Sequence, residues 1–251
     1  MAVRRIAYLN CGEMDADSSM LIFRHNIGTR LTIPVTAAVL DTDDGYILFD
    51  TGFHPEGLTD PDVLGGYADA CRYTEENLVT GQLARLGLKP EDIRTVVSSH
   101  LHFDHTGGNR YFGHARFLVQ RAEWRWAACP EPFIAGAYRP GHFDLAGYHP
   151  LDGSQRLFDG VWAFLTPGHT PGHQVLLVQK PGGAVILTAD ACYTRENLER
   201  GLPDGNGWDR VRNIESQQLL KALAAMENAE LKVMHDPRFF AENEPAPRWY
   251  E

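Results

Sequence analysis

The sequence predicts an α/β fold in which two packed mixed sheets carry helices on their outer faces. Three observations lead there. A β-hairpin is followed by a helix and then by a short apolar strand, Thr95-Val96-Val97, that empties into the polar, glycine-closed loop Ser98 to Asn109. The second half repeats that element order, with strands ending in Thr166-Pro167-Gly168-His169, in Thr188-Ala189-Asp190 and in His235. A helical apolar pattern over 209–227 then supplies an outer layer. With 251 residues, 43% of them hydrophobic, the chain can bury a substantial core. We read 1–251 as one domain of two similar halves, 1–129 and 154–251, around a loop-rich insertion at 130–153; the halves match in element order and not residue by residue.

The elements follow in chain order. Residues 3–10 have strand character and open from Met1-Ala2 with no apolar leader. Residues 11–34 read as an irregular stretch carrying Met20, Leu21, Ile22 and Phe23, which are either core or the wall of a pocket. Val35–Leu40 and Tyr46–Phe49 flank Asp43-Asp44-Gly45, a hairpin turn, and the second strand ends in Asp50-Thr51-Gly52. After a Gly-, Pro- and Asp-rich surface loop over 53–73, Thr74 is placed to cap a helix with Glu75 and Glu76 in its first turn, and Gly87 closes it. Beyond the Ser98 to Asn109 loop, Ala115–Val119 is a strand and Ala122–Ala128 a short helix bearing Trp124 and Trp126. The Pro-, Gly- and aromatic-rich segment 130–153 has no period, which suits a lid or a homodimer contact; its His142 and His149 read as solvated. In the second half, Val161–Leu165 is a strand, Val175–Val178 pairs with Ala184–Leu187, Asp209 caps the helix to about 227, and Leu231–Met234 is the last strand.

The charge balance, 23 Lys and Arg against 33 Asp and Glu for a net −10, argues against a broad nucleic-acid surface. No apolar run approaches the roughly 20 residues that cross a bilayer. The four cysteines, Cys11, Cys71, Cys129 and Cys192, form no CxxC pair, and with the leaderless start they indicate a cytoplasmic protein with free thiols.

The chemistry concentrates in Ser99-His100-Leu101-His102-Phe103-Asp104-His105, which places three imidazoles and a carboxylate within six residues of one loop. His100 and His102, two apart in an extended segment, share a side. Asp104 and His105 follow as the chain turns and address a second point, a spacing that suits two ions better than one. Buried imidazoles and carboxylates need partners or metal to offset desolvation, and strand ends on the same rim add His169, Asp190 and His235. Five imidazoles and two carboxylates are enough for two zinc-like ions; iron, cobalt and manganese are accepted by the same donors. Phe103, between two ligands, reads as a pocket wall, and Met20, Leu21 and Phe23 as an apolar channel beside it.

The run His100-Leu101-His102-Phe103-Asp104-His105 resembles the HxHxDH signature of the metallo-β-lactamase superfamily, which implies a four-layered αββα sandwich. That resemblance assigns His100, His102 and His169 to one ion and Asp104, His105 and His235 to the other. Asp190 bridges them, as a carboxylate with two oxygens can, and Asp50 braces the metal loop without ligating. Cys192 and His173 fall outside this set, as a structural thiol and as a group supporting the ligands. Together with Thr166-Pro167-Gly168-His169-Thr170-Pro171-Gly172-His173-Gln174, the segment Asp190-Ala191-Cys192-Tyr193 resembles the N-acyl homoserine lactonases, which open quorum-sensing signals. Tyr193, three residues past the bridging acid, carries the more specific part of that likeness. It implies a hydroxide bridging two divalent ions that attacks the lactone carbonyl, Tyr193 as oxyanion donor, and Asp104 as the relay that protonates the leaving alkoxide.

Other readings share the ligands. A thioester hydrolase of the glyoxalase II type needs a cationic patch for glutathione carboxylates, and the C-terminal part has no such cluster. A β-lactamase favours an exported chain and often carries Cys in place of the bridging acid. A non-catalytic binding protein on the same fold is expected to have lost ligands, and here the set is full. The expected partner is a small-molecule lactone, with neither nucleic acid nor membrane.

Overall fold

The computed structural model describes residues 3–251. Met1 and Ala2, where the reading of the chain start began, lie outside the described residues. The first sheet is built from β1 (Val3–Asp17), β2 (Arg30–Thr42), β3 (Gly45–Phe49), β4 (Cys71–Arg72), β5 (Ile93–Val97), β6 (Arg116–Gln120) and β7 (Tyr148–Leu151) in the order β4-β1-β2-β3-β5-β6-β7. Its β4-β1-β2-β3 part is antiparallel and its β3-β5-β6-β7 part parallel. The second sheet contains β8 (Gln155–Phe158), β9 (Val161–Leu165), β10 (Gln174–Lys180), β11 (Gly183–Leu187) and β12 (Glu230–Lys232) in the order β12-β11-β10-β9-β8, antiparallel except for the β11–β12 pair.

Side-chain alternation explains why these sheets stack as they do. Along β2, Ala38 and Leu40 point to one face and join Phe49, Val97, Leu176 and Val178 in the core between the sheets. Val35, Ala37 and Val39 point the other way, towards Val79 and Leu83 of the helix Val79–Arg85. On β10, Leu176 and Val178 face the inter-sheet core, whereas Val175 and Leu177 pack on Leu220 and Leu223 of the helix Arg210–Glu227. Each central strand is therefore apolar on both faces, and the layers run helix, sheet, sheet, helix, the αββα sandwich. Asp209 caps the long helix as expected, accepting from the amides of Val211 at 2.9 Å and Arg212 at 3.1 Å.

Several boundaries differ from the sequence reading. The stretch expected to be irregular, 11–34, is strand at both ends: β1 continues to Asp17 and β2 begins at Arg30, with a short helix, Ser18–Leu21, between them. A register shift between Asn10 and Glu13 breaks the alternation that marks a strand and hides the continuation. The segment 130–153 contributes β7, which pairs in parallel with β6, and β8 follows it. The helix begun at Thr74 is a 3₁₀ turn, Glu75–Asn77, leading into Val79–Arg85. Among the described residues no helix is long and apolar enough to cross a membrane, and all four cysteines are free.

Candidate metal centre

The strand ends of both sheets meet on one rim. β3 leads into Asp50, which takes a positive φ of 60°, a conformation Asp tolerates better than most residues. Its carboxylate accepts from the amide and the hydroxyl of Ser99, each at 2.7 Å, and from Nδ1 of His105 at 2.9 Å. Asp50 thus holds the loop from behind, as expected. The short helix Phe103–Thr106 lies directly on the loop after β3: Thr51 donates its amide to the His105 carbonyl at 2.9 Å, and Gly107 to that of Gly52 at 2.8 Å. A Cβ on Gly107 would stand 2.1 Å from the His54 nitrogen, so glycine is required there. The second half is tied to the same loop through Gln174, whose amide reaches the Ser99 carbonyl at 2.9 Å and whose side chain reaches that of Ser98 at 2.8 Å.

All seven predicted donors converge. Donor atoms of His100, His102 and His169 lie within 4.8 Å of one another, and so do those of Asp104, His105 and His235; every one of these residues is buried. Asp190 stands between the trios. Its Oδ1 is 3.0 Å from His235 Nε2 and 3.1 Å from His105 Nε2, while its Oδ2 is 3.4 Å from His169 Nε2 and 4.0 Å from His100 Nε2. One oxygen faces each trio. The buried Nε2 atoms of His100 and His102 have no hydrogen-bond partner, and burial, reinforced by neighbouring imidazoles, holds both rings well below the usual histidine pKa. Neutral imidazoles with idle lone pairs around a shared carboxylate fit two divalent cations.

The backs of the rings are secured in different ways. Nδ1 of His100 meets Ser99 Oγ at 2.9 Å, Nδ1 of His235 meets the Pro34 carbonyl at 2.6 Å, and Nδ1 of His169 meets Asp204 Oδ2 at 2.9 Å. His173 also lies near His100 and Asp190. Its Nε2, however, accepts the Asp190 amide at 3.1 Å, so that lone pair is spent and the residue supports the bridge without ligating. Cys192 is buried, and its thiol pKa is pushed up to about 12 by burial, which leaves it a packing group.

Residues 31–233 match the family described as the metallo-beta-lactamase superfamily. The chain belongs to that superfamily. It is 35% identical over 242 residues, 94% of each chain, to an N-acyl homoserine lactonase of a Bacillus species. It is 32% identical over 258 residues, 98% of each chain, to the N-acyl homoserine lactonase AttM of Rhizobium radiobacter. Among solved structures, an N-acyl homoserine lactone hydrolase with the product N-hexanoyl-L-homoserine bound at its catalytic metal centre superposes with a TM-score of 0.88 at 31% identity, covering 99% of this chain and 100% of that one.

A cavity of about 370 Å³ opens above the trios, with His102, Asp104 and Asp190 in its lining. Tyr193 also lines it, its ring centroid 5.5 Å from those of both His169 and His235. Burial first, and then the facing carboxylates of Asp190, Asp204 and Asp104, hold its hydroxyl well above the ordinary tyrosine range. It therefore stays a proton donor. Phe103 forms a wall, stacked on Tyr67 at 4.5 Å, and Met20 stands at the mouth. Phe23 does not line this cavity, contrary to expectation. Its ring lies under the guanidinium of Arg210 at 4.3 Å, and its amide donates to the Pro203 carbonyl at 2.9 Å, which turns it to the outer side of the loop.

Three residues at the centre went unread in the sequence. Glu123, fully buried, accepts from the Leu101 amide at 3.0 Å, the Gly172 amide at 3.3 Å and the Tyr138 hydroxyl at 2.9 Å, and so joins the metal loops of the two halves. Tyr138, from the segment expected to be a lid or dimer contact, sets its ring 4.7 Å from His102. Asp204 is the third. His142, expected to be solvated, is buried against His54 with ring centroids 4.6 Å apart.

Proposed function

We propose that this protein opens the lactone ring of N-acyl homoserine lactones with two divalent metal ions, zinc being the metal this donor set suits best. His100, His102 and His169 would hold one ion, Asp104, His105 and His235 the other, and Asp190 would reach both. The observation that carries this reading is the placement of the two Asp190 oxygens, one towards each buried trio, in a chain 32–35% identical to N-acyl homoserine lactonases over nearly its whole length. When bound, such ions supply a water-derived nucleophile at neutral pH and polarise a carbonyl.

The chain's own groups do the rest. Tyr193 donates a hydrogen bond from Oη to the lactone carbonyl oxygen, and the bond strengthens as that oxygen gains charge. Asp104, on the cavity wall, takes up the proton released as the water-derived nucleophile adds to the carbonyl and passes it to the ring oxygen as the ester bond breaks. Phe103, Tyr67, Leu21 and Met20 give the acyl tail an apolar lining. The four unpaired thiols fit a reducing compartment such as the cytoplasm.

The cavity disfavours the glyoxalase-type alternative. Apart from the proposed ion ligands, its lining holds Asp15 and Asp17 against one cation, Arg30, a poor reception for the two carboxylates of a glutathione thioester. The test is to measure hydrolysis of N-hexanoyl homoserine lactone and of S-lactoylglutathione by the same metal-analysed sample. Lactone opening that requires two metal equivalents is expected; a metal-loaded protein that cleaves the thioester faster overturns the reading.

A further inference from the structure

Of the five imidazoles in the two trios, two are backed by a carboxylate: His105 by Asp50 and His169 by Asp204, each at 2.9 Å. Asp50 sits where β3 meets the metal loop, whereas Asp204 belongs to a loop distant from every metal-binding motif. From this we infer that Asp204 is the positioning residue of the first ion site, the second-half counterpart of Asp50. It fixes His169 with the Nδ1 proton towards Asp204 and the Nε2 lone pair towards the ion site, and it adds negative charge to the share of Asp190 that this site receives. The inference rests on the two-ion reading above.

Charge makes the case. The first trio is three imidazoles, while the second contains Asp104. Asp190 offers one oxygen to each trio, so beyond that shared acid Asp204 brings the first trio the carboxylate that Asp104 brings the second. A buried divalent ion needs negative charge close by, and without Asp204 the first trio has only its share of Asp190.

The way the carboxylate is held leads to the same conclusion. Among the described residues, His169 is its one hydrogen-bond partner, and Oδ1 is buried with none. An aspartate that merely shaped its loop would spend those oxygens on nearby amides. Here the loop is shaped by other groups. The Asp204 amide donates to Asn213 Oδ1 at 3.1 Å, Asn213 Nδ2 reaches the Ala191 carbonyl next to Asp190 at 3.1 Å, and the Trp208 amide reaches the His169 carbonyl at 2.9 Å. Gly207 leaves room for the acid, since a Cβ there would stand 2.1 Å from Oδ1. Loop and helix together deliver a half-satisfied carboxylate to the back of one ligand.

The test compares wild type, Asp204→Asn and Asp204→Ala after loading with Zn²⁺, by counting metal per chain along a chelator titration and by thermal melting of the metal-free proteins. Wild type should hold two ions. Asp204→Ala should release one of them at a chelator concentration about 10–100-fold lower while keeping the other. Asp204→Asn, which retains an acceptor for Nδ1 but no charge, should fall between, and the metal-free melts should stay close to wild type. Equal chelator resistance in all three proteins overturns the inference, as does simultaneous loss of both ions with a lowered metal-free melt. Wild type that binds fewer than two ions sinks the two-ion reading itself, a result the wild-type titration alone identifies.

Discussion

Replacing Glu123 by Gln removes one acceptor oxygen from a buried point where three donors meet. In the wild type, Oε1 takes the Leu101 amide and the Tyr138 hydroxyl, and Oε2 takes the Gly172 amide. An amide side chain offers one oxygen and one NH₂ group. One orientation keeps the oxygen on Leu101 and Tyr138 and turns NH₂ against the Gly172 N–H, leaving that amide unsatisfied; the reverse orientation leaves the Leu101 amide unsatisfied, since the Tyr138 hydroxyl can turn to accept from NH₂. One buried donor without a partner costs about 1–3 kcal/mol, and loss of the charge-assisted bonds to Leu101 and Tyr138 pushes the total to the upper part of that range. Guanidinium unfolding of the metal-free proteins reads this without the contribution of bound ions. Glu123→Gln should unfold at lower denaturant with an unchanged m-value. A variant within about 0.5 kcal/mol of wild type, the ordinary scatter for a surface substitution, would refute the view that this carboxylate joins the two metal loops.

Two further outcomes follow from the geometry. Tyr193→Phe should lower kcat about 10-fold, the worth of one hydrogen bond of ~1.4 kcal/mol made in the transition state, with two metal ions still bound; unchanged turnover would remove Tyr193 from the reaction. His142 has its pKa pulled down to about 4, by burial first and then by the facing His54. Its folded value lies below the unfolded value of about 6.5, so the unfolded chain takes up the proton first and stability is lost as pH falls from 6.5 towards 4. Between pH 7.5 and pH 5 this amounts to about 2 kcal/mol. His142→Phe should lose that much less stability than wild type over the same interval. Parallel pH profiles for the two proteins would show that His142 is not buried in its neutral form.

Which parts of the centre were legible follows from where each residue's role is decided. His100, His102, Asp104 and His105 declare themselves because four donors in six residues have no use in an ordinary loop. His169, Asp190 and His235 do so because each follows an apolar strand. Their role is local and is written locally. Glu123 sits in the first turn of the short helix Arg121–Ala128, where an acid reads as part of a solvated helix start. It is buried only because Gly172, from the other half, comes within hydrogen-bonding distance. Asp204 is one more acid in a Pro- and Gly-rich loop until Asn213 of the long helix holds its amide. Phe23 was misplaced for the same reason, since the Arg210 that covers it lies far along the chain. Several of the groups that support the ligands come from the other half: Pro34 holds His235, Glu123 reaches Gly172, and Gln174 holds Ser98 and Ser99. A dinuclear centre built across two sheets needs this. If each half braced only its own ligands, the placement of His169 against His100 and His102, and of His235 against Asp104 and His105, would rest on inter-sheet packing alone; Glu123 and Gln174 add hydrogen bonds of about 3 Å across the gap.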